Sequence, residues 1–321
     1  MPDSRWSTLG NADFMRVPLP AAMITTLSAM QLSRIKNAII GVVAVLLVLG
    51  LQGCSAVRVA YNNGAQLSWW WLDGYMDFSR EQAPQVKQAL DGFFDWHRAT
   101  QLPDYVALLA QAQSQVLEPT TPAAACRWQD QIRERLQPSL ERALAQAADL
   151  LPGLGEPQFR HLEERYAKVM DEMRSDDLQP DPAKRMSEAV KRAVDRAERL
   201  YGSLDAPQKR VIRDGVVASP YDPEAWAAER VRRQKDTVQT LRRLAAERAD
   251  RDTRVAALRT LVARVERSPD PAYRAYQIRL NDYNCAFAAQ IHNATTLAQR
   301  KQARANIKDW EDDLRAVMAA L

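Results

Sequence analysis

From Ser79 to the C-terminus, apolar residues recur at helical intervals almost without pause, and the interruptions are prolines or short clusters of Asp, Ser and Pro. A chain written this way has little choice but α-helix. Glycine is scarce, with 11 residues in 321, while Ala, Leu, Arg, Gln and Glu, all good helix formers, dominate. No stretch alternates apolar and polar residues as a half-buried strand would. Ser79-Arg-Glu-Gln82 has the spacing of a capping box, and Val86, Leu90, Phe93, Phe94 and Trp96 then follow on one helical face, predicting a helix of about 20 residues. Further helices are expected over 104–117, 123–150 with a kink or break at Pro138, 157–174, 183–201, 207–217, 223–247, 252–265, 272–293 and 296–320. The separators are Glu118-Pro-Thr-Thr-Pro122, Leu151-Pro-Gly-Leu-Gly155, the Pro-rich run ending at Pro182, Ser219-Pro-Tyr-Asp-Pro223 and Ser268-Pro-Asp-Pro271. The expected fold class is all-α, a bundle or array of eight to ten helices.

Upstream the pattern changes. Arg34 and Lys36 precede an unbroken apolar run from Ala38 to Leu51, followed by Leu51-Gln52-Gly53-Cys54. About 14 residues are too few to cross a bilayer, which takes roughly 20, but they suit the apolar core of an export signal. The order resembles the bacterial lipobox, in which the cysteine receives a diacylglyceryl group and a signal peptidase cuts before it. That resemblance implies a lipid on Cys54, with Gln52 bulkier than the usual small residue. An uncleaved signal anchor is the alternative. Ser55 follows, where aspartate signals inner-membrane retention in enterobacteria, so the outer membrane is expected. The chain then divides into 1–29, a mis-assigned start or disordered extension; 30–53, a lipoprotein signal peptide starting at Met30; 54–78, a lipidated tether and aromatic segment; and 79–321, the helical domain.

The formal charge is +4, and without residues 1–53 it falls to about +2, well short of the excess expected of a nucleic-acid binder. No nucleic-acid partner is expected. Beyond Cys54 two cysteines remain, Cys126 and Cys285. In an exported chain they are candidates for a disulfide tying an early helix to a late one, the alternative being two buried thiols.

Gly155-Glu-Pro-Gln158 and Leu204-Asp-Ala-Pro-Gln208 place a short loop before a glutamine near a helix start, as Ser79-Arg-Glu-Gln82 does more loosely. These segments resemble the Leu-Thr-x-x-Gln motif of small periplasmic helical stress chaperones, without the threonine. Helix N-termini also converge on such residues for capping alone.

Two aromatic segments stand out. In Trp69-Trp70-Trp71-Leu72-Asp73-Gly74-Tyr75, adjacent indoles fan over about 200° of a helix, so at least one is expected to face a membrane interface or a protein partner. The alternative buries them as a cap on the core. The second segment is Phe93-Phe94-Asp95-Trp96-His97-Arg98, ending before Leu102-Pro103. Tyr61-Asn62-Asn63, Trp70-Trp71-Leu72-Asp73-Gly74-Tyr75 and Trp96-His97-Arg98 together resemble a family of uncharacterised proteobacterial helical lipoproteins, domain of unknown function 6279. The resemblance implies a helical, envelope-located protein and supplies no reaction. Trp69, Trp70, Trp71, Asp73, Tyr75, Trp96, His97 and Arg98 are taken as a candidate interaction surface, with a turn at Gly74 bringing its two parts together.

The histidines, His97, His161 and His292, are far apart and lack metal-motif spacing, and neither a nucleophile elbow nor a phosphate loop is present. No catalytic residue, metal ligand or cofactor is expected beyond the lipid on Cys54. Between Glu229 and Arg267 twelve basic residues face six acidic ones, which suits anionic lipid headgroups or a solvated, ion-paired surface. The expected function is that of a membrane-anchored, non-enzymatic interaction or scaffold protein of the envelope with a protein partner there. A periplasmic chaperone or stress factor is the alternative.

Overall fold

The computed structural model describes residues 56–177 and 181–320. Its twelve α-helices are α1 (Ala56–Asn62), α2 (Gly64–Met76), α3 (Ala83–Thr100), α4 (Leu102–Gln115), α5 (Pro122–Leu150), α6 (Glu156–Asp177), α7 (Pro182–Tyr201), α8 (Ala206–Val217), α9 (Pro223–Ala246), α10 (Arg251–Glu266), α11 (Pro271–Asn293) and α12 (Leu297–Ala319), with a 3-10 turn at Leu151–Gly153. No strand occurs among the described residues. The fold is all-α, as expected. The ten helices anticipated from Ser79 onward are α3 to α12. The count exceeds the expected range because 56–76, read as tether, forms two more helices packed into the body. The expectations for the signal peptide, the first 29 residues and Cys54 fall outside the described residues.

The punctuation works by capping. Thr121, Asp181, Asp205, Asp222, Asp250, Asp270 and Thr296 each accept a backbone N–H at the start of the helix that follows, and a cap of this kind contributes about 0.5–2 kcal/mol. Proline sits in the first turn of α3, α4, α5, α7, α8, α9 and α11, where its missing N–H costs nothing. Pro138 is the exception, since α5 continues through it. One interior hydrogen bond is forgone there, and the helix is held on either side, by α11 near its start and by α10 near its end.

Because α5 is the longest helix among the described residues, it reaches two packed groups. In one, Phe159, Leu162 and Val238 of α6 and α9 bury against Tyr75 and Met76 of α2, extended by Met170, Met173 and Ala227 and by Ala148, Val255 and Leu258. In the other, Ala197, Tyr201, Leu204, Ile212 and Ala303 join α7, α8 and α12. Each group contains one helix crossing that only glycine permits. A Cβ on Gly64 would lie 2.3 Å from the Phe94 ring, and one on Gly215 would lie 2.1 Å from Phe287. Cys126 of α5 and Cys285 of α11 form a disulfide with Cα atoms 5.3 Å apart, within the range such a bond requires.

Candidate functional site

Trp96-His97-Arg98 lies in the last turns of α3, where α1 crosses it. The Tyr61 hydroxyl is 2.8 Å from His97 Nδ1, the Tyr61 ring meets Phe94 edge-on at 5.6 Å, and the Arg98 guanidinium sits 5.6 Å from the Tyr61 ring centre. His97 is further enclosed by Phe93, stacked at 5.7 Å, and Tyr105, edge-on at 5.4 Å. Burial pushes the Tyr61 phenol up to about 12, against the opposing pull of Arg98, and burial holds His97 below the ordinary histidine value. A neutral phenol therefore donates to a neutral imidazole. Arg98 Nη1 also donates to the Ala320 carbonyl at 3.4 Å, and Arg142 stacks over Trp96 at 5.4 Å. The cluster clasps α1 and the end of α12 onto α3. Tyr61 is the member that local pattern alone does not mark, though it lies in the Tyr-Asn-Asn motif.

The other aromatic segment lies elsewhere. α2 and α3 form an antiparallel hairpin in which Gly64 opposes Phe94 and Trp69 opposes Lys87, whose ammonium is 4.7 Å from the indole. Tyr75 is thus roughly 15 Å along the hairpin from the Trp96 end, and the two segments do not merge into one surface. Gly74 stays helical. The turn comes at Asp77, whose φ of 48° is left-handed, a conformation aspartate tolerates better than most residues, and Asp73 Oδ1 secures it by accepting the Phe78 N–H at 3.1 Å. The three indoles separate as their fan requires. Trp69 is buried and stacks on Phe78 at 5.7 Å, Trp71 packs on Tyr75 at 4.8 Å, and Trp70 is 55% exposed. Tyr75 in turn meets Tyr166 of α6 at 6.0 Å, with Arg165 5.4 Å from its ring.

The glutamines at helix starts turn out to work in pairs. Gln208 accepts the Asp205 N–H at 3.0 Å, completing a capping box on α8. Its amide also donates to Gln299 Oε1 at 2.7 Å, and Gln299 Nε2 returns a bond to Gln208 Oε1 at 2.9 Å. Gln299 caps α12 in the same way, accepting the Thr296 N–H at 2.8 Å. At the other end Gln82 accepts the Ser79 N–H at 2.7 Å, Gln158 accepts the Gly155 N–H at 3.0 Å, and Gln158 Nε2 donates to Gln82 Oε1 at 3.2 Å. Capping is what these residues do, and each pair also joins the starts of two helices distant in sequence. Gln299 was missed in the sequence, although Thr296-Leu-Ala-Gln299 has the same box spacing.

Most of the basic stretch is ion-paired. Arg232 and Arg233 bind the buried Glu229 at 2.8 and 3.1 Å, Arg264 binds Asp236 at 2.7 Å, and Arg242 bridges Glu156 and Glu163 at 2.7 and 2.8 Å. Arg251 and Arg259 reach Asp149 and Glu141, each at 2.7 Å. The Arg242 bridges fasten α9 to α6 and those of Arg251 and Arg259 fasten α10 to α5, while the others lie within α9 or between α9 and α10. Among the described residues, no group of three His, Cys, Asp or Glu is placed to hold a metal ion, and no helix is long and apolar enough to cross a membrane.

Helix starts paired through capping glutamines, together with a disulfide, define the class: an all-α protein whose distinctive residues hold helix junctions together. The chain belongs to a family of unknown function, DUF6279, whose model matches residues 74–274. Trp96, His97 and Arg98 lie inside that match, while Tyr61 and Trp69–Asp73 lie before it. No curated protein matches the chain, and no solved structure does.

Proposed function

We propose that the chain is a lipid-tethered, non-enzymatic helical interaction protein of the bacterial envelope, anchored through Cys54, most simply at the outer membrane, and working by contact with an envelope protein. The observation that carries this reading is the succession of basic flank, short apolar run and Leu51-Gln52-Gly53-Cys54, followed after Ser55 alone by a helix docked into the body. The docking is specific, since Arg58 of α1 binds Asp313 of α12 at 2.8 Å and Tyr61 binds His97. A lipid on Cys54 would therefore hold the whole bundle at the membrane surface. Its test is metabolic palmitate labelling of the wild type and Cys54→Ser. Label confined to the wild type supports the tether, and label persisting in the variant overturns it. Crosslinking in intact cells then identifies the partner.

A second reading, a periplasmic chaperone, rests on the four glutamine-led helix starts, three of which resemble the short motif of helical stress chaperones. A short shared motif is weak ground for a shared activity. Suppression of client aggregation by the purified protein at near-stoichiometric ratio would support it, and no effect at tenfold excess would end it.

A further inference from the structure

From Val59 to Leu72 the chain carries no Asp, Glu, Lys or Arg, although 26% of all residues are charged. This uncharged stretch is not interior. Val59 is 53% exposed and Trp70 55%, and Asn62, Asn63 and Gln66 are exposed as well. Helical hydrogen bonds from Asn63 N to the Val59 carbonyl at 3.2 Å and from Leu67 N to the Asn63 carbonyl at 2.9 Å carry α1 into α2 with little change of phase. At about 100° per residue, Val59, Asn63, Gln66 and Trp70 fall within roughly 60° of one another. They form one outward stripe of Val, Asn, Gln and Trp. An ordinary solvated helix face in this chain is laced with ion pairs, as on α9 and α10.

We infer that this α1–α2 stripe lies against the bilayer surface, with Trp70 in the headgroup zone of the leaflet that holds the Cys54 lipid; the inference rests on the tether reading. Position favours a membrane as the occupant. Ser55 alone separates Cys54 from α1, and a residue spans at most about 3.6 Å, so the lipidated residue holds Val59, the start of the stripe, within roughly 12 Å of itself. Chemistry favours it too. Tryptophan prefers the interface because its ring is apolar with one polar N–H, and Asn and Gln are uncharged hydrogen-bonding groups that such a zone can satisfy. With no Lys or Arg on the stripe, attraction to anionic lipid is not what seats it, so a neutral zwitterionic leaflet suffices. Were the helix to stand upright instead, Trp70 would rise about 20 Å above the start of α1, into water.

The test uses the acylated protein from membranes, with Cys126 and Cys285 bonded, so that a cysteine placed at Gln66, Trp70 or Leu297 is the free thiol. Leu297, 60% exposed at the start of α12, is the control. Each thiol carries a polarity-sensitive fluorophore, and the protein is reconstituted in phosphatidylcholine vesicles with and without headgroup-labelled quencher lipid. Quenching at Gln66 and Trp70 at least threefold that at Leu297 is expected. Equal quenching at all three sites in protein whose acyl mass is verified overturns the inference and leaves the tether standing, and this is also the outcome if a protein partner covers the stripe. Absence of an acyl group on the Cys54 peptide removes the tether itself, and the inference with it.

Discussion

The two glutamine-paired junctions are built alike and sealed differently. Around Gln82 and Gln158, hairpin α2–α3 meets α5–α6; around Gln208 and Gln299, hairpin α7–α8 meets α11–α12. In the second junction the two amides bond reciprocally, Gln208 is 6% exposed, and a further lock lies beside them. His292 Nε2 donates to the Glu118 carbonyl at 2.7 Å, so its Nδ1 accepts from the Tyr201 hydroxyl at 2.8 Å. Arg300 adds donors to the Leu117 and His292 carbonyls. In the first junction a single amide bond and a contact from Gln82 Nε2 to the Gly153 carbonyl do the joining, and both glutamines are only half-buried. The seam between α3 and α5 beside it stays open as a cleft lined by Gln85, Gln88, Gln146 and Asp149. One device thus serves as a sealed joint in one half and a wetter joint in the other. Burial sets the difference, because a hydrogen bond withdrawn from water is costly to leave unmade.

The largest effect that would sharpen this contrast comes from the disulfide, which ties α11 of the sealed junction to the start of α5. Replacing Cys126 and Cys285 together by Ser releases a link across a sequence separation of 159 residues and is expected to cost about 4–5 kcal/mol. Urea unfolding with an added reductant on the wild type checks it, and a shift below about 1 kcal/mol would show the link to be incidental. Next come the two glycines. Gly215→Ala and Gly64→Ala each force a methyl group into a phenyl ring, at an expected cost of about 1–3 kcal/mol. Because Gly215 lies among the sealed elements, its melting temperature should fall further, and equal falls would break the comparison.

Gln208→Ala should then cost about 2 kcal/mol, since a buried side chain with bonds to Asp205, Ala294 and Gln299 is lost, against about 1 kcal/mol for Gln82→Ala, whose side chain is only half-buried. Paired thermal denaturation of the two variants reads the difference directly. The smallest effect is that of pH. Burial lowers both His97 and His292, with Arg300 adding to the effect at His292. A histidine with a folded value below its unfolded value binds more protons unfolded. Its contribution is therefore present above the ordinary histidine value, about 6.5, and is lost as pH falls from there through the folded value. The wild type should lose more stability than His292→Gln between pH 7.5 and 5, by a few tenths to about 1 kcal/mol. Parallel losses would show that protonation of His292 does not loosen the joint.

Much of this was written locally. Asp or Thr followed within two residues by Pro announces five of the ten helix starts from Ser79 onward, and a cap acts within one turn of chain, so sequence reveals it. What the sequence hid is what depends on distant partners. Residues 54–78 contain no proline, and three adjacent tryptophans suggested a tether rather than helices α1 and α2. The Trp96 and Trp69 segments seemed one surface because they are close in sequence and composition, but the turn at Asp77 sets them at opposite ends of a hairpin. Gln299 escaped because its importance comes from Gln208, a residue 91 positions away. The basic stretch from Glu229 to Arg267 looked like a surface for anions, whereas its acids on α5 and α6 lie outside the stretch.

The bond from Arg58 to Asp313 spans 255 residues, and it sets an order of events. A chain made at about 5–20 residues per second presents α1 tens of seconds before α12 exists. Until then α1 lacks α12 to pack on, and its uncharged stripe is open to its surroundings before the bundle closes. Closure of the bundle waits on α12, which packs on α4, α1 and α7, so shortening that helix would loosen the first helix of the bundle together with its middle.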